Sequence, residues 1–227
     1  MNRPRRSGII LHPTSLPGPY GIGDLGPEAG RWLDWLAGAG CTFWQTLPLG
    51  PTGYGDSPYF CFSAFAGNPY LVSPDLLVAE GFLDAADLAA APDFPADRVD
   101  FGRVIPWKLS LLDRAFARFQ GAPPGDSAAR HRAFRQANAG WLDDYALFMA
   151  LKEAHGGGPW ADWPQPLRHR RRAALAEARA ALSREVERQA FRQFLFFAQW
   201  DRLRARARSL GLQIMGDAPM YVAADSA

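Results

Sequence analysis

Apolar positions are concentrated in three short runs, at residues 7–12 (SGIILH), 42–49 (TFWQTLPL) and 212–217 (LQIMGD). The first is β-branched and ends at Pro13, which suits a strand buried on both faces. Between the first two runs, Ala29, Trp32, Leu33 and Leu36 recur on one helical face behind Pro27, and Gly38 or Gly40 can close that helix. Strand, helix, strand predicts a parallel βαβ unit with a right-handed crossover. About 160 residues then separate the second strand from the third, far more than an ordinary crossover holds. Helical spacing fills that gap. Ser73 is placed to cap a helix with Pro74 in its first turn. Leu109, Leu112 and Phe116 repeat within residues 107–119, and Trp141, Leu142, Tyr145, Phe148 and Met149 form a stripe within 141–152. Residues 171–210 read as one long helix or two joined, with Phe191, Phe194, Leu195 and Ala198 inward. Parallel strands alternating with helices leave two architectures, an open doubly wound sheet or a (β/α)8 barrel.

Residues 50–70, GPTGYGDSPYFCFSAFAGNPY, fit neither period. Six aromatic rings and a single charged side chain lie among glycines and three prolines, so the segment is a long ordered loop, and such loops are commonly functional. A pyranose ring offers a weakly polar C–H face and a rim of hydroxyls, which aromatic faces beside hydrogen-bonding groups would match. Tyr54, Tyr59 and Tyr70 can stack and also hydrogen-bond, and Asp56, Ser57 and Asn68 supply the polar rim. Phe60, Phe62 and Phe65 are expected to anchor the loop. Asp217 directly follows the third strand, where a charged side chain would face an active-site mouth; Asp225 is expected to be a helix cap or a structural ion pair.

The totals narrow the partners. Lys+Arg of 25 against Asp+Glu of 23 gives a net charge of +2, which points to neither nucleic acid nor a membrane surface. Cys41 and Cys61 match no metal spacing and read as two thiols rather than a disulfide. The basic start is followed by too short an apolar run for a signal peptide, and the expected compartment is the cytoplasm. Gly21, Gly23 and Gly26 spell G-x-G-x-x-G, but prolines crowd its approach and no acidic residue ends the second strand, so dinucleotide binding is not supported.

The segments LHPTSLPGPYGIGDLG, FWQTLPLGPTGYGDSPYFCFSAFAGNPYLVSPDLL, KEAHGGGPWADWP and GDAPMYVAADSA resemble the 4-α-glucanotransferases called amylomaltases or disproportionating enzymes, glycoside hydrolase family 77. The resemblance runs from about Ser7 to the last residue. It implies the N-terminal part of a (β/α)8 barrel with a large helical insertion between strands 2 and 3: barrel in 1–72, insertion in 73–190, and return to the barrel in 191–227. It also implies transfer of a segment of an α-1,4-glucan to a 4-hydroxyl with retention, on maltooligosaccharides and α-1,4-glucans, without a cofactor or metal. Carried over by position, Ser57 and Tyr59 line sugar subsites, Tyr54 contacts the groove, and Asp217 supports the site without being the nucleophile. The glycines near Gly156 and the ring of Trp160 match a structural turn.

Family members are about twice as long, and retaining chemistry needs two carboxyl groups about 5–5.5 Å apart. Those residues belong to later strands of the family's barrel, so no catalytic residue is expected in this chain, which is read as an inactive N-terminal portion, with a second polypeptide as one source of the remainder. Asp24, Asp56 and Glu153 are expected to be turn residues or solvated helix positions. Two other classes compete: a non-catalytic glucan-binding module, and an interaction protein using the arginine-rich helix around residues 168–172. The interspersed Glu185 and Glu187 favour a solvated face for the latter.

Overall fold

A computed structural model describes residues 5–219 and 223–227; the basic start at residues 1–4 and the middle of the stretch after the third strand, 220–222, lie outside the described residues. Three strands form a parallel sheet in the order β1 (Gly8–Ile10), β2 (Phe43–Gln45), β3 (Gln213–Met215), with Ile9, Trp44 and Ile214 in register across it. The helix between β1 and β2, α1 (Pro27–Gly38), has Pro27 at its start and fully buries Ala29, Leu33 and Leu36. Gly40 takes φ +72° just past its end, the left-handed turn that only glycine adopts without cost. β2 is shorter than its apolar run. Its last ladder bond is Thr46 N–H to the Met215 carbonyl, after which Pro48 has no amide to offer.

Past the loop that follows β2, the chain on the way to β3 is mostly helical: α2 (Pro74–Ala79), α3 (Ala85–Leu88), α4 (Phe101–Gly121), α5 (Ser127–Ala137), α6 (Ala139–Ala154), α7 (Gln165–Arg168), α8 (Arg172–Ala181) and α9 (Ser183–Ser209). Ser73 does stand at the cap position of α2, but its hydroxyl is buried without a partner there. α4 starts six residues ahead of the predicted 107–119, because Asp100 caps it and the helix runs on through Pro106, an interior proline that gives up one ladder hydrogen bond. The run 171–210 is two helices, divided at Leu182. α5 carries too little apolar periodicity to be read from sequence; only Ser127 and His131 of it are buried.

The main core joins α1, β2, α4 and α9 around Trp44, Leu33, Leu112 and Phe191; a second cluster gathers Leu142, Phe148 and Leu151 of α6 with Trp163 and Val186. The sheet corrects one expectation. Ile9, Trp44 and Ile214 pack on the helices, but Ile10 is 60% exposed and Met215 46%, so β1 is covered on one face only. Its alternate residues point away from α1 and α9, and on that side Arg6 lies over the Phe43 ring and donates to Gln213.

Candidate functional site

In a parallel sheet the loops leaving the carboxyl ends of the strands share one edge, and here three do: residues 11–26 after β1, 46–73 after β2, and the segment after β3. The first two are tied together. His12 Nδ1 takes the Thr14 amide hydrogen at 3.3 Å, which leaves Nε2–H to donate to the Pro48 carbonyl at 3.3 Å. Burial pushes the His12 pKa down, opposed by that carbonyl, so the ring is held neutral at neutral pH. Trp44 Nε1–H adds a second tie, to the Leu11 carbonyl at 2.8 Å.

The aromatic loop is closed at its base by Asn68 N–H to Leu49 carbonyl, 2.8 Å, and narrowed by an antiparallel bridge between Thr52 and Cys61. Gly53 N–H meets the Phe60 carbonyl at 2.9 Å, and the chain reverses through Gly55 at φ +71° and Asp56 at φ +53°. Aspartate is among the few residues with a side chain that tolerate this conformation, so Asp56 is a turn residue, as expected; desolvation pushes its pKa up. Ser57 Oγ accepts the Tyr59 amide at 3.3 Å, and the Tyr59 hydroxyl donates to Asp217 Oδ2 at 2.9 Å. That hydrogen bond, followed by desolvation and the nearby negative charge, raises the Tyr59 pKa. Asp217 Oδ1 accepts its neighbour's amide, Ala218 N–H, at 2.9 Å.

Three of the four predicted site residues are therefore contiguous, Ser57 to Tyr59 to Asp217, bridging the loops after β2 and β3. Tyr54 stands apart on the tip, 96% exposed. The phenylalanines divide differently from expectation. Cys61 takes the inward position at the bridge, so Phe60 and Phe62 both point away from it. Phe62 is covered by Phe148 and by the Lys152 ammonium, 4.8 Å from its ring centre, whereas Phe60 is 49% and Phe65 68% exposed. Only Phe62 anchors; Phe60 and Phe65 belong to the exposed aromatic surface, with Phe65 beside Trp141.

Other acidic residues are occupied elsewhere. Asp225 pairs with Lys152 and accepts Trp160 N–H at 3.0 Å, the structural ion pair anticipated for it, and Trp160 Nε1–H reaches the Ala224 carbonyl at 2.8 Å. Both cysteines are free thiols. Residues 168–172 are exposed. One expectation is corrected: Asp24 is buried against Lys108, 3.0 Å, rather than lying in an open turn. Glu153 is an exposed helix position, as expected, and from there binds Arg188, Gln189 and the buried Arg192. Lys108 was legible in principle as a lysine set in the stripe Val104, Leu111, Leu112, Ala115.

The family model described as 4-alpha-glucanotransferase matches residues 11–227. The chain belongs to this family. A 4-alpha-glucanotransferase of Thermus thermophilus is 54% identical over 227 residues, covering 100% of this chain and 45% of its own length. The one from Synechocystis is 48% identical over 223 residues, 98% of this chain and 44% of its own. Among solved structures, the amylomaltase from Streptococcus agalactiae in complex with acarbose superposes with a TM-score of 0.91 at 38% identity, covering 98% of this chain and 45% of that one. The chain thus spans a little under half the length of these relatives.

Proposed function

We propose that this chain supplies part of the glucan groove of a 4-alpha-glucanotransferase, an enzyme that passes a segment of an α-1,4-glucan to the 4-hydroxyl of glucose or another glucan with retention. The observation that carries the reading is the Tyr59–Asp217 hydrogen bond at the carboxyl edge of the sheet, made by a loop that also exposes the rings of Tyr54, Phe60 and Phe65. The rings offer faces to pyranose C–H groups, and the oxygens of Asp217 and Ser57 can accept sugar hydroxyls. Ser57, Tyr59 and Asp217 bind near the bond being broken, and Tyr54 extends the groove.

A barrel is the architecture this reading favours. Helices cover the Ile9–Trp44–Ile214 face alone, whereas a doubly wound sheet carries helices on both. Residues 1–72 and 191–227 then form barrel wall, with 73–190 an insertion packed outside it. We assign no nucleophile or acid/base within this chain: Asp24, Glu153 and Asp225 are held in ion pairs and Asp56 in a turn, while Asp217 serves as a positioning carboxylate.

Titration with maltoheptaose tests this reading. Saturable binding is expected with Kd of about 1 mM or tighter, and none with cellohexaose, whose β-1,4 links present the rings at a different angle. Equal binding of both, or of neither, contradicts it.

A further inference from the structure

Gln193 and Gln199 are buried on the inner face of α9, 1% and 2% exposed, and each makes the same unusual contact. Gln193 Oε1 accepts Gly67 N–H at 2.7 Å while its Nε2 donates to the Gly67 carbonyl at 2.9 Å. Gln199 Oε1 accepts Ser73 N–H at 2.7 Å while its Nε2 donates to the Ser73 carbonyl at 3.2 Å. Each side-chain amide thus does for one loop residue what a neighbouring strand would do, pairing both backbone groups where water cannot reach. Phe196 lies between them, and a Cβ on Gly67 would overlap its ring, so the loop backbone is seated directly on the helix.

The seat has a second end. α9 leads through a short turn into β3 and Asp217, so one helix fixes both the end of the aromatic loop and the strand carrying the acceptor of Tyr59. The base bond between Asn68 and Leu49 transmits the seat to the loop tip.

We propose that Gln193 and Gln199 are positioning residues that set the aromatic loop on α9 so that Tyr59 meets Asp217 in the glucan site. This rests on the reading of that site as glucan-binding. Gln193→Met and Gln199→Met keep side-chain length but remove both hydrogen bonds. Each variant is expected to weaken maltoheptaose binding about tenfold, and to move the Tyr59 phenol titration, followed by ring-labelled NMR, down towards that of an ordinary tyrosine. In a Tyr59→Phe background, Gln193→Met should weaken binding much less, since the two act through one contact. A merely structural role predicts lower melting temperatures with the Tyr59 titration and the affinity unchanged, and that result overturns the proposal. If the variants do not fold, hydrogen exchange on the unaltered protein decides. Gly67 and Ser73 amides protected like the interior of α9 support the seat; exchange as fast as Gly55 at the tip overturns it. Absence of maltoheptaose binding by the unaltered protein would remove the glucan reading alone, because the Tyr59 titration still reports on the seat.

Discussion

Lys108→Ala is expected to lower the unfolding free energy by about 3–5 kcal/mol. Lys108 is 1% exposed, and its ammonium donates to Asp24 Oδ2 at 3.0 Å and to the Val72 carbonyl at 2.9 Å. Burial pushes the Lys108 pKa down, and the Asp24 carboxylate pulls it back up. Removing the lysine strands Asp24, whose other oxygen accepts Gly26 N–H at the start of α1, together with the carbonyl of Val72. Three elements therefore lose a common tie: the loop after β1, the end of the aromatic loop, and α4. Replacing both charges, Lys108→Met with Asp24→Asn, should cost clearly less than the lysine change alone, because no unpaired buried charge remains. Urea denaturation measures both. A change of less than about 1 kcal/mol for Lys108→Ala would mean that the pair is hydrated or open in solution.

Tyr59→Ala should weaken maltoheptaose binding on the order of thirtyfold, by loss of a stacking face and a hydrogen bond together, with the melting temperature nearly unchanged. Its side chain is partly exposed and belongs to neither core cluster, so folding has little stake in it. Tyr59→Phe keeps the face and loses the link to Asp217, and should fall between the two. Calorimetric titration separates the three proteins. Equal affinities would remove Tyr59 from the site.

The βαβ unit and the third strand were legible because each depends on a local pattern: a short apolar run, a helical stripe between Pro27 and Gly40, and punctuation at both ends. The aromatic loop was legible as a loop because its rings fit neither period. Three features could not be read in that way. The exposure of Ile10 and Met215 depends on which faces of the sheet the helices choose, and an apolar run looks alike whether one face or both are covered. The exposed position of Phe60 follows from a single bridge that turns Cys61 inward, and that of Phe65 lies beyond the bridge, where no repeat in the sequence marks which way a ring turns. The pairings of Asp24 with Lys108, of Glu153 with Arg192, and of the α9 glutamines with the loop join residues 39 to 126 positions apart. Composition signals only that something polar is buried, in the lysine of α4 and the glutamines of α9; the partner appears when the chain is folded.

The family match spans residues 11–227, and the candidate glucan site within it rests on four residues. Chemical-shift mapping with maltoheptaose tests that site most directly. Dose-dependent shifts are expected at Tyr54, Ser57, Tyr59 and Asp217, with the exposed arginines of residues 168–172 unmoved. Shifts confined to the apolar cavity of about 530 Å³ between α6 and α7, lined by Phe148, Leu151, Trp163 and Leu167, would contradict it, as would no shifts at all.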